Sequence, residues 1–285
     1  MRAISANGMQ MPVLGQGGWR IGDEPQKAAS EMAALRRGLE LGMNLIDTAE
    51  MYGDGDSELL IGEALRGIPR KAYLLVSKVY PHNAGRPNIF KSCEASLKRL
   101  ATDYLDLYLL HWRGSTPLSE TVECMERLVR SGKIRRWGVS NFDVDDMEEL
   151  WSIPNGSNCA ANQVLYHIGS RGIEYDLIPW LAKRGVAVMA YCPLAQAGTL
   201  TRMRKDIITD ETLVSVAAKY KLSVTQIMLA FILRQKNLVA IPKAGSVRHV
   251  EENATAIDIR ISDEDWARID SVYWPPTAKM HLDME

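Results

Sequence analysis

Leu105-Asp106-Leu107-Tyr108-Leu109-Leu110-His111 is a mostly apolar run that ends in a histidine. Its length and content are those of a β-strand. Side chains alternate faces along a strand, so Leu105, Leu107 and Leu109 share a face with His111. Two earlier runs have the same design. Tyr73-Leu74-Leu75-Val76-Ser77-Lys78 ends in a lysine that shares its face with Leu74 and Val76. Asn44-Leu45-Ile46-Asp47-Thr48-Ala49 carries Asp47 on the face of Leu45, and Met51-Tyr52-Gly53-Asp54-Gly55 follows it. Three polar groups therefore end three apolar stripes on one common side.

Outward from these runs the chain alternates strand-like segments with patterns of helical period. The strand candidates lie at roughly 13–15, 44–48, 72–78, 105–111, 134–140, 159–163, 186–191 and 238–242. Helical patterns fill the gaps: Glu24 to Leu41, Ser57 to Arg66, Pro87 to Leu100, Ser119 to Ser131, Asp143 to Trp151, Glu174 to Lys183, Asp210 to Gln235 with a break near Ser223, and Val247 to Ala256. Strand followed by helix, repeated about eight times, predicts an α/β protein with a right-handed parallel sheet closed into a (β/α)8 TIM barrel. Asn7-Gly8 signals an N-terminal β-hairpin. At the other end Ser262 is a helix N-cap candidate before Asp263-Glu264-Asp265, and Trp274-Pro275-Pro276 stops that extra helix, leaving a surface loop. No low-complexity linker interrupts the pattern, so residues 1–285 read as one domain.

The 285 residues are 46% hydrophobic and 24% charged, which is ordinary for a soluble globular protein of this length. With 34 basic and 35 acidic residues the formal net charge is -1, and no nucleic-acid or membrane partner is implied. The N-terminal stretch from Met1 to Gly8 lacks the apolar core of a signal peptide, and no segment has the apolar length of a membrane span, so the expected location is cytoplasmic. Cys93, Cys124, Cys159 and Cys192 show no C-x-x-C spacing and read as free thiols. His82, His111, His167, His249 and His281 make no H-E-x-x-H pattern, so no metal site is expected. Gly15-Gln16-Gly17-Gly18-Trp19-Arg20 lacks the last glycine of a dinucleotide fingerprint, and Asp54-Gly55-Asp56 lacks the spacing of a calcium loop and reads as a turn into a helix.

In a barrel of this type the active site lies at the carboxyl ends of the strands, where Asp47, Lys78 and His111 all fall. Tyr52 follows the second strand, and a short turn through Gly53 would swing its phenol over the same mouth. Each residue alone has a plainer reading, as a cap, a solvated lysine, a structural histidine or a lid. Their placement on consecutive units favours chemistry. A free tyrosine is a poor proton donor at neutral pH, but a neighbouring ammonium lowers its pKa. Lys78 can supply that charge, and Asp47 can hold Lys78 protonated and aimed. His111 can then orient a carbonyl oxygen for protonation by Tyr52. None of the four donates a hydride, so a nicotinamide must be borrowed.

These residues resemble the aldo-keto reductase family. Its leading signature is matched by Gly42 to Gly53 with Ser57-Glu58 and Leu60-Ile61-Gly62 following, its lysine segment by Val76-Ser77-Lys78, and its later segments by Asp106 to Trp112 and Gly138 to Phe142. The resemblance spans nearly the whole chain and implies a barrel that binds NADPH in an extended form. It implies Tyr52 as general acid, Lys78 and Asp47 as its tuners and His111 as carbonyl orienter. For the cofactor it implies that Ser140, Asn141 and Gln163 bind the carboxamide and that Tyr191 stacks on the nicotinamide, within the cofactor segment that continues through Cys192, Pro193 and Leu194. Lys243, with Ser246, would meet the 2′-phosphate, and Glu252 and Asn253 the adenine. His249 stands where many relatives have arginine, with Arg248 just before it, so phosphate selectivity is expected to be weakened while NADPH stays preferred over NADH.

By the same resemblance Trp19, Trp112 and Trp274 wall a substrate pocket together with Tyr52, whereas Trp151, Trp180 and Trp266 lie in helical patterns and read as core. The overall sequence resembles the bacterial reductases of methylglyoxal and other small reactive aldehydes. A diketogluconate-type sugar reductase is the alternative, and the chain is expected to act as a monomer. Two readings from other classes are a Schiff-base aldolase, disfavoured because Asp47 should keep Lys78 charged, and an NADPH-binding regulatory protein on the same fold, disfavoured by the intact set of four.

Overall fold

Strands β1 (Ala3–Ala6) and β2 (Met9–Pro12) form an antiparallel hairpin across Asn7-Gly8. Both turn residues have positive φ, 43° and 77°, as a tight two-residue hairpin turn requires. The computed structural model describes residues 2–198 and 206–285. Beyond the hairpin come β3 (Gln16–Gly17), β4 (Leu45–Asp47), β5 (Leu74–Val79), β6 (Leu105–Leu110), β7 (Ile134–Ser140), β8 (Ala161–Leu165), β9 (Ala187–Tyr191) and β10 (Leu238–Ala240). They pair in chain order, each parallel to the next. The two edges meet through a parallel bridge between Leu14 and Ala240, with Gly15 N–H donating to Ala240 O at 2.8 Å and Ala240 N–H to Val13 O at 2.9 Å. The sheet is therefore closed, as the eightfold alternation predicted. The first strand differs from the expected 13–15: its ladder lies at Gln16–Gly17, and the expected residues make the closing bonds instead.

The helices are α1 (Ala28–Glu40), α2 (Asp56–Ala64), α3 (Ile89–Arg99), α4 (Leu118–Arg130), α5 (Val144–Ser152), α6 (Leu177–Lys183), the single turn α7 (Ala195–Gly198), α8 (Glu211–Tyr220), α9 (Val224–Leu233), α10 (Val247–Thr255) and α11 (Asp263–Asp270). The expected break near Ser223 is a real boundary: Lys221 ends α8 at φ 57°, and Ser223 with Gln226 forms a capping box that starts α9. Ser262 caps α11 through the Asp265 N–H. Among the described residues no single helix is long and apolar enough to cross a membrane; the α8–α9 pair, bent by 88°, passes on length and composition together, and α9 is core.

Strand alternation sorts the apolar residues into two layers. Leu45, Leu74, Val76, Leu107, Leu109, Ala161, Ala187, Met189 and Val239 fill the barrel interior, while Ile46, Leu75, Tyr108, Leu110, Val164 and Val188 face the helices. Leu105 departs from its stripe and packs in the outer layer at the foot of β6. Ala6 and Met11 of the hairpin belong to the inner cluster, and Asn7 bonds to Asn158 and Arg136 near the amino ends of β8 and β7. The hairpin thus plugs the floor and leaves the carboxyl ends as the only mouth among the described strands.

Candidate active site

On several strands the inward stripe turns polar where it reaches the mouth. Asp47, Lys78, Gln163 and Tyr191 continue the inward stripes of β4, β5, β8 and β9, and His111 continues that of β6. Tyr52 arrives by a turn in which Gly53, Asp54 and Gly55 all have positive φ (56°, 50° and 102°), tight enough for α2 to start at Asp56. Gly55, at φ 102°, holds a conformation that residues with a side chain rarely adopt, and a Cβ there would also lie 2.6 Å from Arg99 Cδ. Asp54-Gly55-Asp56 is this turn.

Lys78 is fully buried and spends all three ammonium hydrogens: on Asp47 Oδ2 at 2.7 Å, on Thr48 O at 2.8 Å and on the Tyr52 hydroxyl oxygen at 3.1 Å. The other carboxylate oxygen, Asp47 Oδ1, accepts from Gln163 Nε2 at 2.8 Å. Burial pulls the Lys78 pKa down, but Asp47 and Tyr52 outweigh it and the net direction is upward. The lysine is a held cation, which removes the Schiff-base reading. For Tyr52 the balance differs from the expectation. Burial dominates and raises the phenol above its ordinary value, with the Lys78 charge pulling against that rise. The phenol is thus a protonated acid whose rise the ammonium limits.

His111 is held at about 2 by burial first and the Lys78 charge second, so its imidazole is neutral. Its Nδ1 is buried without a partner. Its ring lies 5.7 Å from the Tyr52 ring, edge-on, and 5.0 Å from Trp112. Trp19 meets Tyr52 at 4.9 Å, and Tyr80 meets Trp112 at 5.5 Å. These rings make an apolar rim around one polar corner. Trp19 is 43% exposed at the rim, but Trp274 is 65% exposed and is not among the rings that meet there. Of the expected core tryptophans, Trp180 is buried against Trp151, and Trp266 packs on Phe231.

The expected cofactor residues fall in two groups. Ser140 Oγ donates to Gln163 O at 2.8 Å, and Asn141, itself at φ 61°, donates to His111 O and accepts from the Tyr191 hydroxyl at 2.9 Å. Cys192, Pro193 and Leu194 follow directly, with Pro193 buried and the Cys192 thiol pushed up to about 12 by burial and Glu285. The second group lies at the start of α10. Ser246 caps the helix by accepting from His249 N–H, Lys243 reaches Glu31 Oε1 at 3.2 Å, and Arg248 pairs with the His249 ring at 3.1 Å. Asn253 is buried on α10 and Glu252 is half-buried beside it. An ammonium, a hydroxyl and a helix N-terminus form a donor set that fits a phosphate. Among the described residues no three His, Cys, Asp or Glu side chains gather to hold a metal.

Three features escaped the sequence reading. Gln163 braces Asp47, a contact between β8 and β4 that strand alternation alone does not specify. Tyr80 joins the rim, and its position two residues beyond Lys78 on the same face was a usable signal. The segment after Trp274 returns to the mouth: Lys279 bonds Asp143 and Asp176 at 3.2 and 3.0 Å, and Glu285 N–H donates to the Tyr191 hydroxyl at 3.3 Å.

Residues 13–273 match the model of the aldo/keto reductase family. The chain belongs to that family. It is 51% identical to the methylglyoxal reductase YeaE of Escherichia coli K12 over 97% of this chain and 96% of that protein. It is 33% identical to a glyoxal reductase of Bacillus subtilis, over 93% and 90% of the two chains. Among solved structures it is similar to an aldo-keto reductase from Klebsiella pneumoniae in complex with NADPH, with a TM-score of 0.95, 49% identity and complete coverage of both chains. Aldo/keto reductase membership accords with the closed barrel and with the polar set at its mouth.

Proposed function

We propose that this aldo/keto reductase uses NADPH to reduce small reactive aldehydes, 2-oxoaldehydes such as methylglyoxal among them, to alcohols. The observation that carries the reading is the Lys78 ammonium, bonded at once to the Asp47 carboxylate and the Tyr52 hydroxyl at the end of an aromatic-rimmed mouth. The similarity to YeaE and to the Klebsiella NADPH complex supports the substrate and the cofactor.

In this account Ser140, Asn141, Gln163 and Tyr191 hold the nicotinamide end, and Lys243 and Ser246 the phosphate end, with His249, Glu252 and Asn253 toward the adenosine. The bound cofactor supplies the hydride. His111, kept neutral, donates a hydrogen bond to the carbonyl oxygen and sets its direction. Tyr52 gives its proton to that oxygen as the carbon is reduced. Lys78 stabilises the phenolate so formed, and Asp47, braced by Gln163, keeps Lys78 charged. The rim of Trp19, Trp112 and Tyr80 favours a small substrate with little polar surface beyond its carbonyl. In this account the protein acts as a monomer in the cytoplasm.

An aldehyde panel with NADPH oxidation as readout tests this. Rapid turnover of methylglyoxal is the expected result. Faster turnover of sugar-derived diketones would move the chain to the diketogluconate branch, and NADPH binding without turnover of any carbonyl would make it a binding protein.

A further inference from the structure

Glu31 is an acidic residue on the buried face of a helix. Within α1 it shares that face with Ala34, Leu35 and Gly38, and it is only 2% exposed. One carboxylate oxygen, Oε2, accepts from Gly22 N–H at 3.0 Å, and the other, Oε1, accepts from Lys243 Nζ at 3.2 Å. The lysine is partly open, with its side chain 35% exposed. A Cβ at Gly245 would stand 3.1 Å from Lys243 Nζ and 3.5 Å from Glu31 Oε1, so the backbone after Lys243 runs directly over this pair. The other cation at the start of α10, Arg248, has its own carboxylate, Glu252, at 3.9 Å. Each positive charge near this helix start is therefore matched by a negative one.

The geometry points to Glu31 as a positioning residue that sets cofactor specificity by acting through Lys243. The inference rests on the reading that Lys243 meets the 2′-phosphate of NADPH. The carboxylate has two opposed effects. It pre-orients the ammonium, and it competes for the charge and the hydrogen bond that a dianionic phosphate would otherwise take from that ammonium. Backbone runs over the pair at Gly245 and limits where the ammonium can go without Glu31, so the competition for its charge is the larger effect. A nucleotide without the phosphate meets only a ribose hydroxyl and is indifferent to that competition. Glu31 thus weakens the discrimination in favour of NADPH that Lys243 supplies.

The test is calorimetric titration of Glu31→Gln and the unaltered protein with NADPH, NADH, and the fragments 2′,5′-ADP and 5′-ADP. The amide keeps an acceptor for Gly22 N–H. The variant should bind NADPH and 2′,5′-ADP roughly tenfold more tightly while NADH and 5′-ADP change by about twofold or less. In the Lys243→Met background the same substitution should leave the ratio of NADPH to NADH affinity unmoved. Unchanged or weakened NADPH binding in Glu31→Gln, or an equal shift for both dinucleotides, would overturn the inference. If that variant does not fold, Glu31→Asp, which withdraws the charge by one methylene, should move the ratio in the same direction by less, and an unmoved ratio would overturn it. Lys243→Met with undiminished NADPH affinity would remove the phosphate assignment beneath it, a different outcome from failure to turn over aldehydes.

Discussion

Lys78 Nζ stands 3.1 Å from the Tyr52 hydroxyl oxygen and donates to it. The phenol therefore accepts from the lysine and keeps its own hydrogen for another acceptor. With its other hydrogens on Asp47 and Thr48, the ammonium is locked in place. A proton donor supported from behind, with its own hydrogen not spent on the lysine, follows from these bonds.

Lys78→Met should remove the one charge that limits the Tyr52 pKa. Aldehyde reduction per folded molecule is expected to fall by about 100-fold or more at neutral pH. Asp47 would be left buried against Gln163 alone, at a stability cost of about 3–5 kcal/mol. Steady-state kinetics and urea denaturation check the two effects separately, and turnover within about threefold of the unaltered protein would refute the role.

Asp47→Asn preserves the shape and the Gln163 contact but withdraws the counter-ion. Burial, the largest influence on Lys78, then acts with less opposition and lowers its pKa. Activity that requires the charged lysine should fall off at lower pH in the variant than in the unaltered enzyme. A pH profile of kcat/KM for methylglyoxal reads this directly, and an unmoved alkaline limb would contradict it.

Much of the barrel was legible because burial leaves its mark on strand composition. The stripe Leu107, Leu109, His111 and the stripe Leu74, Val76, Lys78 each announced an inward face that ends in a polar group. The Asn7-Gly8 turn, the Ser223 break and the Ser262 cap were legible because each rests on local backbone chemistry. What was not legible depended on partners distant in sequence. The sign of the Tyr52 shift needed the depth of its burial, which a residue in a glycine-rich loop does not declare. The first strand was displaced because its closing partner, Ala240, sits at the far end of the chain. The spacing Glu31, Ala34, Leu35, Gly38 did carry a signal, a carboxylate on an apolar helical stripe, but its partner Lys243 is visible only once the barrel closes.

Two buried histidines give the fold a defined acid sensitivity. Burial holds His167 at about 4 and His111 at about 2, both below the unfolded value near 6.5. Between these values and 6.5 the unfolded chain binds protons that the native state refuses, so stability is lost as pH falls from neutrality. The loss at pH 5 is about 2 kcal/mol for each residue. Urea denaturation at pH 7 and pH 5 should show it, and His167→Asn should remove roughly half of the difference whatever its effect at pH 7. A difference unaltered by the substitution would show that His167 is not a source.

The account stands or falls on Tyr52 as the proton donor. Tyr52→Phe keeps the ring that packs on Trp19 and His111 and removes only the hydroxyl bonded to Lys78. The decisive measurement is turnover of methylglyoxal by this variant, followed by NADPH oxidation, with NADPH affinity determined on the same sample. The expected result is near-unaltered NADPH affinity with turnover lowered by about 100-fold or more. Near-normal turnover would contradict the central claim.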